Sequence, residues 1–181
     1  VQQLAQEEDK MLGQFTNLLK TKRIEDLSAA EMEIVLWRMG LSHCASLFVA
    51  NEIGGKFFSA LDQDLLRSIG FSRRDSCMFV YYRELIQCRG FLNPEIAGQN
   101  AEECVVCFHD SPVKTFELLQ EYGIELDKNV IVDHCWTAPL LIYLSDFGEE
   151  FKNLSMRERI KISGVMNQWK ELHRLHLASL K

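Results

Sequence analysis

GLSHCASLFVANEIGGKFFSAL, from Gly40 to Leu61, and GIELDKNVIVDHCWTAPLLIYL, from Gly123 to Leu144, stand 83 residues apart and align without a gap. Gly40 falls on Gly123, Leu41 on Ile124, Leu47 on Val130 and Phe48 on Ile131. Further along, Ile53 falls on Trp136, Phe57 on Leu140, Phe58 on Leu141 and Leu61 on Leu144. A two-residue insertion then brings Leu66 onto Phe151, Ile69 onto Leu154, Phe71 onto Met156 and Arg74 onto Arg159. Single apolar matches mean little when 47% of the chain is apolar. A shared order of helix stops, apolar pairs and a capped final helix means more, and it predicts two copies of one helical unit.

The helix signals around this core agree. Ser28 with Glu31 reads as a capping box opening a helix to Met39, with Gly40 as its stop. A second helix is predicted over 45–51 and a shorter third over 57–61. Asp62 or Asp64 caps a turn stopped by Gly70, and Ser72 caps a long helix to about Arg89. The pattern restarts with Ser111 and Pro112 opening a helix to Tyr122. Thr137 and Pro139 open a short turn, and a capping box of Ser155 and Glu158 starts a last helix to about Ala178. Ahead of all this, Leu4, Met11 and Leu18 recur every seven residues, beside Phe15 and Leu19, on one face of a helix spanning 1–23. That stripe suits either a coiled coil or docking on the helix's own domain. The whole reads as all-α: an amphipathic helix at 1–23, a five-helix bundle at 24–92, a linker at 93–110 and a second five-helix bundle at 111–181. The linker carries Glu95, Glu102, Glu103 and Asp110 with no Lys or Arg, yet contains the apolar run from Cys104 to Phe108, which should pack against something.

Composition bounds the function. The chain has 181 residues, 20 basic and 26 acidic, for a formal charge of −6. That balance disfavours broad electrostatic capture of nucleic acid or of an anionic membrane. No apolar run approaches the ~20 residues needed to span a bilayer. The six cysteines lie in helical apolar stretches rather than at disulfide-framework spacings. With Val1 in place of an initiator Met and no signal-peptide pattern, the chain reads as a cytoplasmic fragment with reduced thiols.

The first unit resembles a sterile alpha motif (SAM) domain. The resemblance is carried by Leu36-Trp-Arg-Met-Gly-Leu41, Leu47-Phe48, the run from Glu52 to Leu61, and the run from Asp64 to Phe71 ahead of the long last helix. Gly54 stands where the family usually has Asp. The second unit is similar but degenerate: the runs from Trp136 to Leu144 and from Phe151 to Met156 keep the apolar pattern and lose the glycines. Such tandem domains occur in scaffolds and adaptors, so the resemblance implies binding to protein partners, including other SAM domains and copies of the same chain. In the family's mode of contact, a mid-loop surface of one domain meets the start of the last helix of the next, a head-to-tail arrangement that repeats. Carried onto this sequence, the basic side is Arg73 and Arg74, or Arg157, Arg159 and Lys161. The acidic side is Asp62 and Asp64, or Asp146, Glu149 and Glu150. Some SAM domains read RNA hairpins instead. Here 7 basic against 9 acidic residues over 24–92, and 9 against 10 over 111–181, leave little net field for phosphate.

Catalytic and cofactor chemistry find no footing. No nucleophile motif and no phosphate-cradling glycine loop are present, so no enzyme and no cofactor are expected. Cys104-x-x-Cys107-x-His109, with Asp133-His134-Cys135 further on, is the one metal-like constellation. Zinc wants four S or N ligands and a second CxxC is missing, so these cysteines read as small buried apolar residues and no metal is expected. His173-x-x-His176 faces one way on the last helix but lacks a third ligand.

Overall fold

The computed structural model describes residues 1–88, 104–144 and 151–180, and every regular element among them is helical. The helices are α1 (Gln2–Thr21), α2 (Met32–Arg38), α3 (Ala45–Ala50), α4 (Gln63–Ser68) and α5 (Arg73–Gln87). Then come α6 (Val105–Phe108), α7 (Pro112–Glu121), α8 (Lys128–Val132), α9 (Ala138–Leu141) and α10 (Met156–Ser179). Short 3-10 turns at Ile24–Asp26, Ser42–Cys44 and Gly55–Phe57 join the first five. None of these helices is long and apolar enough to cross a membrane. The chain divides into two compact units, Val1–Phe79 and Val80–Lys181, with the division inside α5. The expected linker lies outside the described residues up to position 103. From Cys104 onward it belongs to the second unit.

Most helix starts are where the caps predict them. Ser28 Oγ accepts from Glu31 N and Glu31 Oε1 from Ser28 N, both at 3.1 Å. Asp62, not Asp64, caps α4, accepting from Leu65 N at 2.8 Å. Ser72 Oγ accepts from Asp75 N at 3.0 Å and Ser111 Oγ from Lys114 N at 3.2 Å. Ser155 and Glu158 close a full capping box on α10. The predicted helix at 57–61 is instead a 3-10 turn with hydrogen-bonded turns after it. Gly55 opens that turn where the backbone passes so near Ile24 that a Cβ there would sit 1.6 Å from the Ile24 carbonyl oxygen.

Helix ends repeat at the 83-residue offset. Leu41 N donates to Leu36 O at 2.7 Å, and Ile124 N to Leu119 O at 3.0 Å. Between each pair sits a left-handed glycine, Gly40 at φ 73 and Gly123 at φ 77. Ile53 N donates to Phe48 O, and Trp136 N to Ile131 O, both at 2.9 Å. Here the left-handed residues are Glu52 at φ 53 and Cys135 at φ 55. Each is a Schellman closure, in which one left-handed residue lets the chain turn back and satisfy an orphan carbonyl. The correspondence stops after the insertion. Phe71 N bonds Leu66 O across Gly70, whereas Leu154 N bonds Phe151 O and the chain enters α10 through Ser155. Phe71 is buried and its sequence partner Met156 is 71% exposed.

Each unit has its own core. In the first, Met32, Val35, Leu36, Met39 and Leu41 are fully buried beside a cluster of Phe48, Phe58, Phe71 and Phe79. Ring centroids in that cluster are 5.6–6.1 Å apart. Helix α1 docks on α2 and buries Phe15 while Leu4 stays exposed, so the heptad stripe serves its own unit. In the second, Trp136 packs on Phe151 at 5.8 Å and Tyr122 on Trp169 at 5.9 Å. Buried Thr115 accepts from Ala138 N at 2.9 Å and donates to His109 O at 3.0 Å, tying α7 and α9 to the segment after α6.

Candidate functional site

Two features of the surface and one of the interior carry chemistry. The first is the start of α10. The capping box holds this end, and its first two turns leave Met156 and Ile160 71% and 66% exposed. Arg157 and Lys161, also one turn apart and also exposed, stand beside them. Arg159 differs. It is half-buried and its Nη2 donates to the carbonyls of Phe151 and Lys152 at 3.4 Å, so it serves the local turn. In the first unit, Arg73 and Arg74 are half-buried at the start of α5, and Arg74 lies 3.8 Å from Asp75.

The second feature is the start of α4. Asp62 and Asp64 are exposed there, with Leu65 exposed beside them and Phe57 also exposed in the same unit. Asp62 uses one carboxylate oxygen as the helix cap. Asp146, Glu149 and Glu150 lie outside the described residues.

The interior feature brings together two motifs that sequence alone keeps 66 residues apart. Cys104 immediately precedes α6 and Cys107 lies within it, while His173 and His176 share a face of α10. Cys104, Cys107 and His176 place ligand atoms within 4.8 Å of one another. His173 Nδ1 is 3.9 Å from Cys107 Sγ. The Tyr81 hydroxyl donates to Cys107 Sγ at 3.2 Å, and the Tyr81 ring stacks on His173 at 5.4 Å. His173 is 2% exposed, and its Nε2 meets no partner among the described residues. The two thiols behave as a pair. The hydrogen bond from Cys107 holds the Cys104 thiol below the usual thiol range, against the opposing effect of burial. Cys107 is pushed up by the hydrogen bond to Cys104 and by burial.

The other residues of the sequence-level metal constellation go elsewhere. His109 Nδ1 lies 2.6 Å from the Val105 carbonyl, and Cys135 is an exposed helix stop. CxxC and HxxH each put two ligand-type side chains on one helix face or turn, and the packing of α6 on α10 brings them together. A second cluster, His43, Cys44 and Asp75, is a 2.8 Å hydrogen bond between exposed His43 and half-buried Asp75 with a buried thiol beside it. Burial, then the Asp75 charge, pushes Cys44 up to about 12, so that thiol keeps its proton. Searches against protein-family models, curated proteins and solved structures find no match to the chain.

Proposed function

We propose that this chain is an interaction scaffold: two SAM-like helical modules in tandem that self-associate or capture partner helical domains, binding rather than catalysing. The carrying observation is two exposed helix starts that carry side chains of opposite charge beside exposed apolar ones. One is Met156 and Ile160 with Arg157 and Lys161. The other is Leu65 with Asp62 and Asp64. The Schellman closures repeated at the 83-residue offset support the tandem reading. Fully burying an exposed Met or Ile contributes about 1.5–3 kcal/mol, while an exposed ion pair contributes about 0.2–1 kcal/mol. The apolar centre therefore supplies affinity, and the charges select register and partner.

Light scattering across a concentration series tests this directly. Reversing Arg157 and Lys161 together to Glu should weaken association about tenfold, or about 1.4 kcal/mol. Ile160→Asp should weaken it more. Changing Asp62 and Asp64 to Lys in a second copy should restore part of the loss from the charge reversal. A parent chain that stays monomeric at high micromolar concentration in low salt refutes the self-associating scaffold.

A further inference from the structure

We propose that Cys104, Cys107, His173 and His176 form a structural zinc site that clasps α6 to the last two turns of α10. Two thiolates and two imidazoles in a tetrahedron are a standard zinc donor set, and the softness of the sulfurs selects against magnesium and calcium. A tetrahedral S2N2 site has edges of roughly 3.3–3.8 Å. The 3.9 Å from His173 Nδ1 to Cys107 Sγ is already close to that length. Cys104, Cys107 and His176 place ligand atoms within 4.8 Å of one another, so their edges shorten by about 1–1.5 Å on binding, and His173, outside that triplet, joins it through its contact with Cys107. On binding, Zn²⁺ displaces both thiol protons to solvent, leaving a site of net zero charge. Neutrality matters here because Cys104 and His173 are both buried and an uncompensated charge would be costly. An opening of about 380 Å³, lined by Cys104, Val105, Leu172, Leu175, His176 and Ser179, gives the ion a route in.

The surroundings suit ligands better than spare core residues. Tyr81 braces two of the four at once, donating to Cys107 Sγ and stacking on His173. Such outer contacts orient metal ligands and adjust their basicity. The spacing departs from the usual zinc finger, with two residues rather than three to five between the histidines. On a continuous helix, positions three apart still face one way, and the two rings lie 6.4 Å apart. The ion also explains the single turn α6: four residues seldom hold a helix alone, and cross-linking Cys104 and Cys107 to α10 would fix it.

The full chain, purified under reducing conditions without chelator, should carry about one zinc per molecule by elemental mass spectrometry. Replacement by cobalt(II) should give the intense visible bands of a tetrahedral site together with thiolate charge transfer. Cys107→Ser should abolish both. Because that variant could also perturb the core, His176→Asn at a half-buried position serves as the second, with far-UV circular dichroism retained and zinc retention lost. Tyr81→Phe keeps the stacked ring and should lower zinc affinity about 10–100-fold. His109→Asn and Cys135→Ser should leave it unchanged. A folded, reduced chain that holds no zinc and gives no cobalt bands overturns the proposal. So does zinc content that survives both His173→Asn and His176→Asn.

Discussion

Gly55 is the residue on which the first unit's loop closure depends most sharply. A Cβ there meets the Ile24 carbonyl carbon at 2.7 Å as well as its oxygen, and Gly55 N donates to Leu27 O at 2.8 Å. Neither backbone neighbour can rotate away, as a flexible side chain could. Gly55→Ala should therefore destabilise the unit by at least about 2–3 kcal/mol, the upper range for overpacking, measurable by urea unfolding. Gly13 is the opposite case. It lies exposed inside α1, with nothing within 4 Å of a built Cβ, so Gly13→Ala should stabilise α1 by about 0.5–1 kcal/mol. The two substitutions look alike in sequence, and only the surroundings give them opposite signs.

Among the elements, α1 and α10 are held in different ways. Helix α1 is long and polar, and Phe15 is its one fully buried side chain. Phe15→Ala should remove about 3–5 kcal/mol of packing, which is enough to detach α1 without unfolding the rest. Hydrogen exchange checks this: amides over 2–21 should lose protection while those of α2 and α5 keep theirs. Helix α10 is buried along Ile162, Val165, Met166, Trp169 and His173, and its start is held by the capping box. Ser155→Ala should cost about 1 kcal/mol in thermal unfolding, with fraying confined to the first turn. That turn presents Arg157, so association by light scattering should weaken alongside it.

For the whole molecule, the position of the unit boundary decides which fragments fold. Tyr81 and Glu84 lie on α5 but belong to the second unit, where Tyr81 meets Cys107 and His173, and Glu84 accepts from the Tyr143 hydroxyl. The second unit also buries Cys104 and Val106. A fragment of 111–181, cut where the acidic linker suggests, lacks all of these. It should be poorly helical and aggregation-prone, whereas 80–181 should unfold cooperatively by circular dichroism. Equal cooperativity in the two fragments would show that Tyr81 and the Cys104–Phe108 run are dispensable to that unit.

Much of this protein was set by local chemistry and is legible as such. Ser28, Ser72, Ser111 and Ser155 cap helices because a side-chain oxygen reaches a backbone N–H within the same turn. Gly40, Gly70 and Gly123 stop helices because a left-handed residue costs glycine nothing. Both effects reach only a few residues, so the pattern of types suffices. The left-handed Glu52 and Cys135 were not legible, since neither residue type favours that conformation and only the closures around them impose it. Nor was the burial of Phe15 or the exposure of Met156, which depend on what each helix meets. The Cys104, Cys107, His173 and His176 cluster is the sharpest case. Each pair is visible by its spacing but reads, in sequence, as core or as lacking ligands, because two pairs 66 residues apart become neighbours only when α6 packs on α10, and long-range packing leaves no local signature.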